Sequence, residues 1–194
     1  MEKNFSEQDS LKLISEMLEN TKARFNENGF FYLLWGWLVL IASLLHFTLL
    51  YTDFQHPYIG WPVIMMGGGI VSGIAGYRKG KDAKVSTFID RSMIFLWIGF
   101  VISLLILFAI VIIGHIKWHL LSILIIALYG LPTFVSGGIL KFKPLIYGAL
   151  ACWVLAIISL FVQEEYVILL SAISVIFAYL IPGYMLKSKF NKNV

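Results

Sequence analysis

The third apolar run of the chain decides the fold class and reads SMIFLWIGFVISLLILFAIVIIGHI, residues 92–116. None of its 25 residues is Asp, Glu, Lys or Arg. An α-helix rises about 1.5 Å per residue, so about 20 apolar residues cross the ~30 Å hydrocarbon layer of a bilayer. Strands of a membrane barrel would instead alternate apolar and polar residues. The run therefore predicts a transmembrane α-helix.

Five further runs have the same character, and together they predict six transmembrane helices. The predicted spans cover residues 30–51, 57–77, 92–113, 118–140, 144–162 and 166–186. Composition agrees, because 59% of the chain is hydrophobic and 13% is charged, too little charge to cover a surface that faces water. The predicted fold class is all-α, a polytopic membrane helix bundle. Residues 1–28 are expected to form a cytoplasmic amphipathic helix, and residues 29–194 the six-helix membrane domain.

Basic residues are distributed unevenly among the segments that connect the predicted spans. Fourteen of the 15 Lys and Arg residues lie in the N-terminal segment, the second and fourth connections and the C-terminal tail, whereas Lys117 is on the opposite side. Cytoplasmic loops are enriched in Lys and Arg, so both termini are expected in the cytoplasm. The first 28 residues lack the basic and apolar regions of a cleaved signal peptide, which predicts an uncleaved first span. The expected location is a bacterial cytoplasmic (cell inner) membrane.

The three predicted in–out–in hairpins share short sequence patterns. Residues 62–68 and 132–138 both read Pro, four residues, Gly-Gly, and residues 34–36 and 96–99 both pair Leu-Trp with a nearby Gly. These matches favour an internal repeat with parallel copies, although Gly and Pro are also common in membrane helices generally. The order of hairpins, Trp/Gly openings and Pro/Gly even-numbered helices resembles the acid-resistance membrane protein family. That resemblance carries no residue role.

Small residues four positions apart allow the backbones of two membrane helices to approach closely. This spacing predicts helix packing at several glycines, while a helix broken near Pro62 to expose backbone at a substrate site is the functional alternative. The predicted packing residues are Gly69, Gly73, Gly76, Gly99, Gly137 and Gly138.

The N-terminal segment combines an apolar stripe with an acidic balance. A capping pattern at residues 6–9 precedes the stripe, and Asn28-Gly29 is a candidate interruption before the first span. The segment through Gly29 carries six acids and four bases, unlike the Lys/Arg-rich helices that bind anionic lipid. A protein partner, self-association, contact with the basic second connection or a nonspecific membrane-surface helix all remain open. The predicted contact residues are Leu11, Ile14, Leu18 and Phe25.

All four histidines fall on the outer side under the predicted topology. His115 and His119 are four residues apart, which on a helix would place both imidazoles on one face, although Gly114 can keep His115 outside the helix. With His46 and His56 they are candidate ligands of zinc or copper. A pH response and boundary residues without specific function are the alternatives.

No predicted span contains Asp, Glu, Lys or Arg, which argues against a proton- or ion-driven transporter. Cys152 has no neighbouring base that would activate it, and the distribution of the +4 net charge gives no indication of nucleic-acid binding. The sequence therefore favours a non-enzymatic sensor, assembly or interaction component, without cofactor, in contact with the lipid bilayer. Passive carriage of a small neutral or lipidic solute and a metal-dependent membrane hydrolase are the alternatives.

Overall fold

A computed structural model describes residues 7–52, 54–82 and 88–191, so the predicted cap at Ser6 lies outside the described residues. The described chain is helical and contains no strand. Its helices are α1 (Glu7–Tyr51), α2 (Gly60–Asp82), α3 (Phe88–Ile113), α4 (Trp118–Ile139), α5 (Lys143–Ile158), α6 (Glu164–Val175) and α7 (Ile181–Asn191). Single 3₁₀ turns at Pro57–Ile59 and Ser159–Phe161 precede α2 and follow α5, and a π-helical turn at Ile176–Leu180 joins α6 to α7.

Six helical segments within the described residues are long and apolar enough to cross a membrane. They are Gly29–Tyr51, Pro57–Lys81, Ile89–Ile113, Trp118–Ile139, Lys143–Phe161 and Glu164–Lys189. The prediction of an all-α protein with six membrane-spanning helices is thus confirmed. The predicted three-hairpin topology and internal repeat remain predictions.

Helix α1 runs without a break from the N-terminal segment into the first span. The interruption expected at Asn28-Gly29 is not present. Gly29 is buried, and a Cβ placed on it would lie 3.4 Å from Cβ of Leu186. A glycine costs a helix about 1 kcal/mol relative to alanine, and close packing against α7 offsets that loss. The division of the chain into residues 1–28 and 29–194 remains a prediction.

The first and last spans are antiparallel neighbours. Gly29, at the start of the first span, adjoins Leu186 near the end of the last. Farther along, the hydroxyls of Ser43 and Ser171 lie 3.0 Å apart. Both ends of the six-helix bundle therefore lie at the same face. Their assignment to the cytoplasm remains a prediction.

Helices α4 and α5 form the tightest antiparallel pair in the described chain. A Cβ on Gly137 would lie 2.9 Å from the backbone nitrogen of Ile146. Two turns earlier in α4, Gly130 lies against the indole of Trp153, whose Nε1 donates a hydrogen bond of 3.1 Å to the carbonyl of Ala127. Packing here depends on glycine, because a side chain at either position would displace α5.

Helices α2 and α3 lie at the periphery. α2 packs mainly on α1, where Gly68 is covered by Leu38, and α3 packs mainly on α4, where Phe100 stacks on Tyr129 with ring centroids 5.8 Å apart. Only 11% of the most apolar 18-residue window is buried in the second span and 6% in the third, compared with 61% in the last. The centre of the molecule is thus formed by α1 and α4–α7.

Candidate functional site

The N-terminal part of α1 exposes several large apolar side chains. The exposed fraction is 66% for Leu11, 54% for Ile14 and 60% for Met17. Residues 7–28 continue the first span by about 33 Å at 1.5 Å per residue, so these side chains lie far from the packed bundle. The side chains of Leu18 and Phe25, which complete the predicted stripe, lie outside the described part of the structure. Exposure of this kind is typical of a surface that contacts another molecule.

Two of the four histidines have aromatic partners. Nδ1 of His46 accepts a 3.0 Å hydrogen bond from Nε1 of Trp61, which ties α1 to α2 near the predicted outer boundary. Nδ1 of His56 lies 3.1 Å from the hydroxyl of Tyr58. In each imidazole one nitrogen is therefore engaged by an aromatic residue, and the His46 bond has an evident structural role in joining two helices.

The other two histidines lie at the connection between α3 and α4. His115 is outside both helices, with φ 51°, whereas His119 is in the first turn of α4. Their spacing of four residues therefore does not place them on one helix face. Nδ1 of His119 is buried and has no hydrogen-bond partner among the residues that the structure describes. Within the described residues, no group of three or more His, Cys, Asp or Glu side chains is placed to hold a metal ion, and the zinc or copper site remains a prediction.

The predicted packing glycines have unequal surroundings. Gly137 contacts α5, but a Cβ on Gly69, Gly73, Gly76, Gly99 or Gly138 would meet nothing within 4 Å. At these five positions no neighbouring helix of the described chain is in contact. Their packing role remains a prediction, and the packing partner would be a second molecule. The close approaches that sequence reasoning missed occur at Gly36, Gly60, Gly68, Gly130, Gly148 and Gly183. None of these six glycines has another glycine three or four residues away, so glycine spacing could not identify them.

A cluster of tyrosines occupies the middle of the bundle and was also missed. Tyr179 belongs to the π-helical turn, and its ring centroid lies 5.8 Å from that of Tyr32 and 5.9 Å from that of Tyr129. Trp97 of α3 covers the cluster at 6.3 Å from Tyr179. Tyrosine in membrane helices prefers the interface. Tyr129 and Tyr179 lie at least seven residues from either predicted end of their spans. This unusual depth could have indicated from the sequence that the two tyrosines are buried.

Two buried hydroxyl groups at this tyrosine cluster have no partner in the described part of the chain. They belong to Tyr32, which is 3% exposed, and to Ser136, which is fully buried and faces it. Neither hydroxyl has a hydrogen bond of acceptable geometry among the described residues. An unpaired buried polar group costs about 1–3 kcal/mol. Such a pair is a place where a water molecule or a small polar solute can bind.

Several other polar groups in the bundle are paired locally. The hydroxyl of Thr133 donates to the carbonyl of Tyr129 at 2.8 Å, and that of Ser159 donates to the carbonyl of Leu155 at 2.7 Å. The thiol of Cys152 is buried and its Sγ lies 3.6 Å from the carbonyl oxygen of Ser174. These contacts satisfy the side chains within the membrane and bring no base to the thiol.

An open pocket of about 450 Å³ lies on the face of α2 that points away from the other helices. Its lining residues are Gly73, Ile74, Tyr77, Arg78 and Lys81. They recur at one-helix-turn intervals and change from apolar to cationic towards the C-terminal end of α2. The pocket faces away from the bundle, so its natural contacts are with lipid or with another macromolecule.

The chain matches no protein-family model, no curated protein and no solved structure. The described geometry by itself supports an integral membrane protein, since six apolar helices require a bilayer in which only backbone paired within its own helix is stable. Two surfaces offer contacts beyond the bundle, namely the exposed N-terminal stripe and the pocket on α2, and the buried hydroxyls of the tyrosine cluster form an internal candidate site.

Proposed function

We propose that the protein is a non-enzymatic assembly or interaction component of the membrane, whose N-terminal helix binds a protein partner in the cytoplasm. The observation that carries the proposal is the exposure of Leu11, Ile14 and Met17 on a helix continuous with the first span. Because the helix is uninterrupted, its N-terminal part cannot rotate independently of the first span. The contact surface is therefore held in a fixed orientation relative to the membrane.

The chemistry of the segment favours a protein over a lipid surface as its contact. Helices that lie on anionic membranes have a Lys/Arg-rich polar face, whereas residues 1–29 carry six acids and four bases. A helix with an apolar stripe flanked by acidic and basic side chains resembles the amphipathic helices that bind in an apolar groove of a partner protein. The same surface can engage a second copy of the chain, and the experiment below separates these two partners.

Single substitutions in the full-length protein test the contact. Leu11→Glu and Ile14→Glu each place a carboxylate in the apolar stripe. Ser188→Glu adds one at an exposed position of α7, on the same side of the membrane under the predicted topology. Chemical cross-linking in native membranes, followed by quantitative mass spectrometry, measures the proteins captured by each variant. We expect Leu11→Glu and Ile14→Glu to lose the same captured partner, or the cross-linked dimer, while Ser188→Glu retains it.

Deletion of residues 1–28 should reproduce that loss. An unchanged set of cross-linked species in Leu11→Glu, Ile14→Glu and the deletion would contradict the proposal. A loss of similar size in Ser188→Glu would also contradict it, because the contact would then depend on overall charge and not on the apolar stripe.

A further inference from the structure

Gly73, which lines the pocket on α2, belongs to a row of four glycines on one face of that helix. Gly69, Gly73, Gly76 and Gly80 follow one another at intervals of four, three and four residues, and a Cβ on any of them would meet nothing within 4 Å. The glycines leave a shallow groove along the helix. Tyr77, 75% exposed, stands beside it near the C-terminal end. The groove is therefore apolar along most of its length.

Three cations near the end of α2 point in two directions. Nζ of Lys79 lies 4.7 Å from the ring centroid of Phe31 and 5.6 Å from that of Phe30, so this side chain turns towards α1. Arg78 and Lys81 instead line the pocket and are exposed. Two positive charges thus lie at one end of an apolar groove, just past residue 77, where the predicted second span ends.

We propose that this pocket binds one anionic phospholipid of the cytoplasmic leaflet. Arg78 and Lys81 contact the phosphate, and an acyl chain lies along the groove past Gly73 and Gly69. A guanidinium forms paired hydrogen bonds with phosphate oxygens, which makes arginine well suited to this role. Basic pockets at the cytoplasmic ends of membrane helices recognise anionic headgroups in this way. The leaflet follows from the predicted orientation of the chain.

Charge favours a lipid over a second copy of the chain. A two-fold symmetric contact places the same surface of each subunit against the other. Packing α2 on α2 near Gly73 would bring Arg78 and Lys81 of both copies to the same crossing, where like charges repel at short range. An anionic headgroup neutralises the same two residues. The glycine groove then accommodates an acyl chain in place of a helix backbone.

Native mass spectrometry of the full-length protein tests the charge requirement. The detergent-purified chain is titrated with phosphatidylglycerol and, separately, with phosphatidylcholine of the same acyl chains. We expect preferential binding of phosphatidylglycerol by the wild-type protein. Arg78→Gln with Lys81→Gln should weaken that binding about 30-fold, about fivefold for each cation. Lys187→Gln with Lys189→Gln removes two exposed cations from α7 and should leave it unchanged.

A second pair of variants tests the groove without changing charge. Gly73→Leu fills the pocket, while Gly99→Leu adds the same side chain on α3, where a Cβ also meets nothing within 4 Å. Gly73→Leu should reduce phosphatidylglycerol binding and Gly99→Leu should not. Since neither position contacts the rest of the described chain, both variants should fold.

Four outcomes would overturn the proposal. They are equal binding of the two lipids, equal loss in the α7 control, displacement of phosphatidylglycerol by millimolar inorganic phosphate, and a Gly73→Leu protein that loses a dimer but keeps its lipid. The site is separate from the N-terminal stripe, so Leu11→Glu should leave lipid binding intact. Failure of the lipid site and failure of the proposed partner contact are therefore distinguishable.

Discussion

The third and last spans of this protein show opposite relations between hydropathy and burial. The third has the highest mean hydropathy of the six, yet 6% of its most apolar 18-residue window is buried, whereas 61% is buried in the less apolar last span. In water the more apolar helix would be central. In a bilayer, lipid solvates apolar side chains as well as protein does, so helix association depends on close packing and hydrogen bonds. The last span supplies both, since the hydroxyl of Ser171 lies 3.0 Å from that of Ser43 on α1 and the π-helical turn packs closely against Gly148 of α5.

The sharpest contrast between the two regions is expected at the glycines in or next to them, and Gly148 of α5, which packs against the last span, should show the largest effect. A Cβ at this position would meet the carbonyl oxygen of Phe177 and lie 2.8 Å from Cα of Ala178, both backbone atoms that cannot move aside cheaply. Gly148→Ala should therefore lower the free energy of unfolding by about 1–3 kcal/mol or more. Gly99→Ala on α3, in open surroundings, serves as the matched control. Reversible unfolding in mixed micelles measures both, and equal stabilities would contradict the packing described for α5 and the last span.

A smaller effect is expected from the hydroxyl pair that joins the first and last spans. Ser43 and Ser171 are buried and their Oγ atoms lie 3.0 Å apart. Hydrogen bonds between membrane helices contribute about 0.6 kcal/mol on average. A double-mutant cycle of Ser43→Ala and Ser171→Ala should give a coupling free energy of that size. Ser103→Ala combined with Ser43→Ala is the control, since Ser103 bonds within α3, and it should give no coupling. Strictly additive effects of Ser43→Ala and Ser171→Ala would show that this contact does not hold the two spans together.

The smallest effect is expected where hydroxyls are buried without partners. Replacing Tyr32 by Phe and Ser136 by Ala together removes two unpaired groups with little change in shape, which should be nearly neutral or stabilising. The same unfolding measurement provides the check. A clear loss of stability would indicate that these hydroxyls bind a water molecule or solute in the folded protein, and would favour the alternative of a passive carrier.

Sequence reasoning succeeded for features set by each helix separately. The spans are recognisable because 20 or more uncharged residues must pair their backbone internally within lipid, whatever their neighbours are. It failed where two helices must be considered together. Gly73 and Gly148 are both glycines in apolar spans, and only the position of α6 and α7 relative to α5 makes the second one irreplaceable. The tyrosine cluster was missed for the same reason, as Tyr32, Tyr129 and Tyr179 come from three separated segments.

The amino-acid sequence by itself determined that this is a helical membrane protein, with the six spans found among the described residues, because the cost of exposing polar backbone to hydrocarbon leaves no other arrangement for such segments. The tertiary structure alone decided which spans are central, which glycines contact a neighbouring backbone and which hydroxyls find partners. The physical reason is that lipid removes the hydrophobic drive between helices. Their arrangement then depends on the fit of small surfaces, and that fit exists only after distant parts of the chain have come together.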